Sequence, residues 1–154
     1  MRKDVFGLVY AGEENINLRE LVNLRSVSAL PVGGRYRVID FTLSNMVNSG
    51  IRNIGIIPKK NYQSLIDHVG SGKDWNLDRK TDGLFILPPY DTFENTGSYN
   101  GLVDTLKGAS AYIRRAPQKY CLLTGSFTLF NCDYYGMFER HMDTGADITM
   151  LYNE

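Results

Sequence analysis

Short apolar runs alternate along this chain with stretches of helical periodicity, and this alternation restricts the fold more than any other feature. Val5 to Ala11, Ile54 to Ile57, Cys121 to Thr124 and Ile148 to Leu151 have the length and continuous apolarity of strands buried on both faces. Strands separated by helices form parallel sheets that helices cover on both sides. The sequence therefore predicts an α/β fold, whose ligands bind beyond the carboxyl ends of the strands.

Apolar stripes with helical spacing lie between these runs, and each is followed by a residue suited to end a helix. The stripes are Tyr62, Leu65, Ile66 and Val69 before Gly70; Leu102, Leu106, Ala109 and Ile113 before Pro117; and Met137, Phe138, His141 and Met142 before Gly145. Asp133 precedes the last stripe as a possible cap. The stretches Asn23 to Arg37 and Lys73 to Tyr99 show neither pattern, and we expect irregular loops there that face ligands or partners.

Size and charge restrict the kind of protein. With 154 residues, of which 43% are hydrophobic, the chain can bury one ordinary core. Its 17 basic and 17 acidic residues balance, which argues against nucleic acid or an anionic membrane as partner. The stretch Met1 to Tyr10 carries Asp4 and lacks a signal-peptide pattern, which favours the cytoplasm. Because the chain stops just after its last predicted strand, we interpret residues 1–154 as the N-terminal part of a longer domain.

The residues that most often bind metals are isolated in this sequence. Cys121 and Cys132 have no neighbour at metal-ligand or redox-motif spacing, so we expect reduced structural thiols. His68 and His141 fall on or beside apolar helical stripes, where packed histidines are the common case. No metal site is predicted.

The most informative segment runs from Ser28 to Asn45 and reads SALPVGGRYRVIDFTLSN, followed by Asn48 to Ile51. Patterning alone would make Gly33-Gly34 a tight turn and Ser44 to Gly50 the end of a helix. The segment closely resembles the signature of the glucose-1-phosphate adenylyltransferases, or ADP-glucose pyrophosphorylases, and the similarity extends over nearly the whole chain. The resemblance implies a Rossmann-like nucleotidyltransferase fold. Active members join ATP and glucose 1-phosphate into ADP-glucose and pyrophosphate, with Mg2+, and carry a C-terminal β-helix domain that lies outside this sequence.

The phosphate-binding loop departs from the pattern of active members. They resemble one another in Gly-Gly-x-Gly-Thr-Arg-Leu after the first strand, whose amides cradle phosphates and whose arginine stabilises developing charge. Here residues 12–18 read GEENINL. Glu13 and Glu14 place carboxylates where polyphosphate would lie, at a repulsion of roughly 1 kcal/mol per contact in water. Asn17 stands in place of the arginine and cannot supply its charged, bidentate contact.

Further functional positions are changed. The family segment Ala-Lys-Pro-Ala-Val aligns with Ser26 to Leu30, so Val27 replaces the lysine. Arg25 lies two residues away and could substitute only through a shifted loop. The family's Gly-Asp-His aligns with Gly125-Ser126-Phe127, so Ser126 replaces the aspartate that binds Mg2+. A serine hydroxyl is a poor ligand for this hard cation. Asp133 is an imperfect substitute, better explained as a helix cap.

The base-binding segment Trp-Tyr-x-Gly-Thr-Ala-Asp-Ala resembles residues 98–105, SYNGLVDT, which keep Tyr99, Gly101 and Asp104 but lose the tryptophan. Lys59 stands at the position of a family glutamine. The resemblance thus leaves a vestigial nucleotide-binding set and no catalytic residue. That set is Ala11, Gly12, Gly101, Asp104 and Gly125.

These departures predict a regulatory, catalytically degenerate subunit of the family that needs no cofactor of its own. Its partner would be a catalytic pyrophosphorylase subunit, with a small phosphorylated effector as a further ligand. One alternative is an active adenylyltransferase with a rearranged site that uses Arg25, Lys59, Lys60 and Asp133. Another is a sensor of sugar phosphate or nucleotide without chemistry, which would bind a phosphate ester near Arg35 or Arg37.

Overall fold

The structure is a computed structural model that describes residues 4–12, 18–89, 91–92, 95–96 and 101–152. Strands and helices follow in the order β1 (Val5–Ala11), β2 (Pro31–Val32), β3 (Tyr36–Arg37), α1 (Val38–Asn48), β4 (Ile54–Pro58), α2 (Gln63–Val69), β5 (Leu84–Ile86), β6 (Asp91–Thr92), β7 (Asn95–Thr96), α3 (Leu102–Gly108), α4 (Ser110–Arg115), β8 (Tyr120–Gly125) and α5 (Tyr135–Thr144). Short 3-10 turns occupy Arg19–Val22, Val27–Ala29 and Lys73–Trp75.

The main sheet has four strands in the order β5-β4-β1-β8, and every neighbouring pair is parallel. Strand β1 is central: Gly7 lies opposite Ile54 of β4, and Tyr10 lies opposite Gly125 of β8. All carboxyl ends therefore meet at one edge of the sheet. The predicted α/β fold with a parallel sheet is confirmed.

Helices cover both faces of the sheet, as the sequence predicted. Val5, Val9 and Ala11 of β1 belong to a buried cluster that includes Leu43 of α1 and Leu65 of α2. This cluster is also packed by Met137 and Phe138 of α5. On the opposite face, the alternate residues Phe6 and Leu8 pack with Ala109 and with the partly buried Leu106, Tyr112 and Ile113.

Glycines in the two inner strands let side chains approach the sheet closely. A Cβ atom added to Gly7 would lie 2.7 Å from the Met46 sulphur. One added to Gly55 would lie 2.9 Å from Leu87 Cδ1, 2.9 Å from the Tyr112 ring and 3.0 Å from Leu8 Cδ2. The space above Gly55 is thus filled by three side chains, which fixes the distance between β4 and α4.

Most of the predicted elements are present. The first and third stripes form α2 and α5, which end at Gly70 and Gly145, and both glycines have positive φ. The second stripe forms two helices, α3 and α4, because the chain breaks at Ala109 instead of continuing as one helix. Both expected loops were wrong in part: Asn23 to Arg37 contains β2 and β3, and Lys73 to Tyr99 contains β5, β6 and β7. These strands have only two or three residues each, too few to show a pattern.

The expected strand from Ile148 to Leu151 is absent. These residues form no ladder with any described strand, and Ile148, Met150 and Leu151 are 80%, 79% and 59% exposed. The Thr149 hydroxyl instead contacts Nδ1 of His141 at 2.8 Å. A cavity of about 640 Å³ separates this segment from β8. Apolar sequence alone does not make a strand where no neighbouring backbone completes the hydrogen bonds.

None of the helices in the described ranges is long and apolar enough to cross a bilayer.

We expect Gly55→Ala to lower the free energy of unfolding by about 1–3 kcal/mol, because its methyl group would overpack against Leu87, Tyr112 and Leu8. Gly136→Ala in α5 is the matched control: nothing lies within 4 Å of its added Cβ, and alanine favours helix, so stability should be unchanged or slightly higher. Urea denaturation measures both. Equal effects of the two substitutions would contradict the packing described here.

Candidate functional site

The carboxyl edge of the sheet brings together three of the five predicted vestigial site residues. Ala11 is the last residue of β1, Gly12 follows it, and Gly125 is the last residue of the adjacent β8. Register pairs Tyr10 with Gly125 and Ala11 with Pro58. The carboxyl ends of β4, β1 and β8 thus lie side by side at one edge of the sheet, where parallel sheets bind their ligands.

Gly101 and Asp104, the other two predicted residues, lie at the start of α3. Gly101 precedes the helix with φ +139, and its carbonyl oxygen accepts hydrogen bonds from the backbone amide and hydroxyl of Thr105. Because α3 and α4 return the chain to the amino end of β8, α3 begins on the carboxyl side of the sheet. Asp104 is half-exposed there, 3.9 Å from the Lys107 ammonium. Its role in binding nucleotide stays a prediction.

Tyr10 covers the beginning of the loop after β1, which the resemblance aligns with a phosphate-binding loop, and the sequence analysis missed this feature. Its hydroxyl donates a hydrogen bond of 3.0 Å to the Gly12 carbonyl oxygen. A Cβ added to Gly12 would lie 2.7 Å from the Tyr10 ring. A side chain larger than glycine at position 12 would therefore require the Tyr10 ring to shift. Residues 13–17, which hold Glu13, Glu14 and Asn17, lie outside the described residues, as do Ser98 and Tyr99.

Val27 lies in the 3-10 turn Val27–Ala29, whose three residues are all buried. Val27 is 8% exposed and Ala29 is fully buried in the cluster below the sheet. An apolar side chain at this position is packed against the core. A lysine there would have to carry its charge out of the core to meet a phosphate.

Ser126 is fully buried just beyond β8. Its Oγ lies 2.5 Å from the Oγ of Ser28, which is also fully buried, and 3.4 Å from the Tyr10 carbonyl oxygen. The position aligned with the metal-binding aspartate is thus occupied by a neutral hydroxyl that contacts protein groups. Ser28 is a second site residue that the sequence analysis missed, because nothing in its local pattern reveals a contact 98 residues away.

These residues do not fit a divalent cation. Mg2+ requires anionic oxygen and an octahedral shell that retains water, whereas Ser126 is neutral, buried and engaged with Ser28. Within the described ranges, no group of three or more His, Cys, Asp or Glu side chains could hold a metal ion. Asp133, the proposed substitute, is exposed and accepts a hydrogen bond of 2.9 Å from the Tyr135 amide at the start of α5. The bond spans two residues and lies just before the helix, whose N-cap position is Tyr134 without a side-chain cap hydrogen bond, so the prediction that Asp133 caps α5 was wrong.

The polar residues of the signature segment act mainly as anchors. Gly33 and Gly34 have positive φ and form the turn between β2 and β3. Asn45 donates a hydrogen bond of 2.8 Å to the Phe130 carbonyl oxygen, and Ser49 Oγ accepts one of 2.9 Å from the Tyr134 amide. Helix α1 therefore holds the segment that follows β8 through side chains that the signature retains.

Arg37, one of the two arginines considered for the sensor alternative, is engaged within the fold, and so is His68. Arg37 Nη1 donates to both the carbonyl oxygen and the hydroxyl of Ser64, at 2.7 and 2.6 Å. His68 Nε2 contacts Asp40 Oδ1 at 2.6 Å, and Asp40 Oδ2 accepts a bond from the Arg37 amide at the start of α1. Arg37 is thus used in tying α1 to α2, and His68 is a packed histidine as expected.

Both cysteines are free thiols, and neither is activated. Desolvation by the surrounding residues raises the pKa of Cys121 to about 12, although the residue keeps part of its surface in contact with solvent. Burial, followed by the charge of Asp133, raises the pKa of Cys132. Both groups are therefore protonated at neutral pH, as expected of structural thiols.

Comparison with known proteins agrees with this architecture. A family model described as nucleotidyl transferase matches residues 7–153. The chain is 40% identical over 151 residues to the glycogen biosynthesis protein GlgD of Geobacillus stearothermophilus, covering 98% of this chain and 44% of that protein. The GlgD protein of Bacillus subtilis is 40% identical over 141 residues, which cover 90% of this chain and 40% of the relative.

The glucose-1-phosphate adenylyltransferase of Halalkalibacterium halodurans is 35% identical over 150 residues, covering 97% of this chain and 39% of the enzyme. The chain therefore spans about two fifths of the length of these relatives. The family match covers nearly every residue, and the parallel sheet with its open carboxyl edge is the fold that the resemblance implied. The chain belongs to the nucleotidyl transferase family.

Proposed function

We propose that this chain is part of a non-catalytic, regulatory subunit of glucose-1-phosphate adenylyltransferase that acts in glycogen biosynthesis in the cytoplasm. The observation that carries the proposal is Ser126: the position of the metal-binding aspartate holds a neutral, fully buried hydroxyl in contact with Ser28. The similarity to GlgD proteins, at 40% identity, supports the pathway. The subunit would bind no cofactor of its own and would associate with a catalytic subunit, with a small phosphorylated effector as a further ligand.

The electrostatics of the cleft support the loss of catalysis. Active members bring a loop arginine, a lysine and an aspartate to the nucleotide, whereas this chain has Asn17, Val27 and Ser126. Removal of one preorganised transition-state contact commonly costs about 2.7–4 kcal/mol, a factor of about 100–1000 in rate. Loss of several such contacts would leave no measurable turnover, while the packed sheet and its anchors remain.

The rearranged-enzyme alternative is weaker, because Asp133 is exposed at the start of α5 and bonded to the backbone there. The sensor alternative loses Arg37, whose guanidinium is bonded to Ser64. Neither alternative has an observation of its own that favours it.

The protein should give no ADP-glucose when assayed alone with ATP, glucose 1-phosphate and Mg2+, because the transition-state contacts are absent. When it is mixed with a catalytic subunit, the rate or effector response of that subunit should change. A radiometric assay with and without the partner measures both. Turnover by this protein alone that disappears on Asp133→Ala would instead establish the rearranged enzyme.

Ser126→Asp alone should destabilise the fold without creating a metal site. A carboxylate in this buried position should lower the free energy of unfolding by at least about 2 kcal/mol. Burial raises a carboxyl pKa above its unfolded value of about 3.9, so the loss should be small below pH 4 and grow as the pH rises. Ser126→Asn, of similar size but neutral, should show no such pH dependence. Stabilisation of the Asp variant by millimolar Mg2+ would contradict this expectation.

Activity should return only when several contacts are restored together, because groups that act as a unit in the transition state are strongly non-additive. We expect Asn17→Arg, Val27→Lys and Ser126→Asp, combined in the full-length subunit with a rebuilt glycine loop, to give detectable ADP-glucose. Each single change should give none. Robust turnover from Ser126→Asp alone would show that the other two losses are not decisive.

A further inference from the structure

We propose that Ser28 and Ser126 form a matched pair that closes the former metal position, so that a side-chain hydrogen bond has replaced a cation at the end of β8. The position is then closed by two side chains of the protein, and it also lacks a carboxylate that could coordinate a cation. The inference rests on the proposed function in one respect only, namely that position 126 is equivalent to the metal-binding aspartate of active members. The contact itself, 2.5 Å between two fully buried hydroxyl oxygens, stands independently.

The pair joins parts of the chain that are remote in sequence. Ser28 is the middle residue of the turn Val27–Ala29, and Ser126 follows β8, so their bond ties the long loop after β1 to the end of the sheet. Ser126 Oγ also lies 3.4 Å from the carbonyl oxygen of Tyr10 in β1. The Ser28–Ser126 hydrogen bond therefore lies between the carboxyl ends of β1 and β8.

Other hydrogen bonds hold the same turn on its remaining sides. The Ser26 amide donates to the Asn61 carbonyl oxygen at 3.0 Å, just beyond β4. The Leu30 carbonyl oxygen accepts a bond of 3.1 Å from the Val38 amide, where α1 begins. Together with the bond between Ser28 and Ser126, these contacts attach the turn to the segment after β4, to the first residue of α1 and to the carboxyl end of β8. Val27 and Ala29 meanwhile bury their side chains beneath it.

The chemistry of the two positions explains why they would change together. The aligned residues of active members are proline and aspartate, and a proline has no hydroxyl to offer a neighbour at position 126. A buried serine there gains a side-chain hydroxyl as a close partner when position 28 also carries one. Conversely, if position 126 carried an aspartate, the Ser28 hydroxyl would compete with a cation for the carboxylate oxygen. Two serines satisfy each other without charge and without a ligand.

A double-mutant cycle in the intact protein tests the pair. Ser28→Ala and Ser126→Ala should each lower the urea midpoint of unfolding, because each removes the same hydrogen bond. The double variant should lie no lower than the less stable single variant. A double variant whose midpoint falls by the sum of the two single shifts would overturn the proposal.

Ser26→Ala provides a matched control in the same turn. The Ser26 hydroxyl is buried and has no hydrogen-bond partner among the described residues. Its removal should leave the midpoint unchanged or raised, and its combination with Ser126→Ala should be additive. Coupling between Ser26 and Ser126 as large as that between Ser28 and Ser126 would show that the cycle reports general packing, and would also overturn the pair.

Amide hydrogen exchange distinguishes a local tie from general destabilisation. The Ala29 and Leu30 amides donate to the Ser26 and Val27 carbonyl oxygens within the turn. In either alanine variant their exchange should accelerate about tenfold, the scale of one lost hydrogen bond. The Gly145 amide at the end of α5 should keep its rate. Equal acceleration at all three amides, or none at the turn, would contradict a local tie.

These outcomes do not depend on catalysis. Turnover by the isolated protein would overturn the proposed function, whereas an additive cycle would overturn the tie.

Discussion

The parallel pairing of β1 with β4 on one side and β8 on the other is the constraint on which the rest of the structure depends. A central strand of a parallel sheet is buried on both faces, so β1 requires a packed layer above and another below. Its alternate residues supply both clusters, with Val9 facing α1 and Leu8 facing α4. The same pairing aligns the carboxyl ends of the strands at one edge of the sheet. A change in the register of β1 would therefore disturb both layers and the site together.

The retained scaffold and the proposed loss of catalysis have separate physical origins in this chain. Gly33, Asn45 and Ser49 shape or anchor loops whatever is bound, and these signature residues remain. Positions that the resemblance aligns with charged residues of active members are instead neutral here, as at Val27 and Ser126. A buried position cannot simply be left without a ligand, because its polar atoms still need partners. The contact between Ser28 and Ser126 meets that need within the protein.

Local patterning was sufficient for most of the fold. Apolar runs and terminating glycines located β1, β4, β8, α2 and α5, because burial on both faces and helix ends leave local signals. The break at Ala109, the three-residue strand β5 and the unpaired segment at Ile148 were not predictable in this way, since each depends on which neighbours are available. The candidate site was likewise predictable only in part. Substitutions at Val27 and Ser126 were visible by comparison with a known pattern, but the covering of Gly12 by Tyr10 and the partnership of Ser28 arise only in three dimensions.

The outer edge of β8 has consequences for how this polypeptide behaves at high concentration. Among the described residues, β8 pairs with β1 alone, and Leu123 within β8 is 39% exposed. An edge strand of this kind offers a row of backbone donors and acceptors to any extended chain that approaches. The neighbouring Ile148, Met150 and Tyr152 add apolar side chains that are mostly exposed to solvent. In a crowded solution such a surface favours chain-to-chain sheet growth along β8, the same strand whose carboxyl end lies at the candidate site.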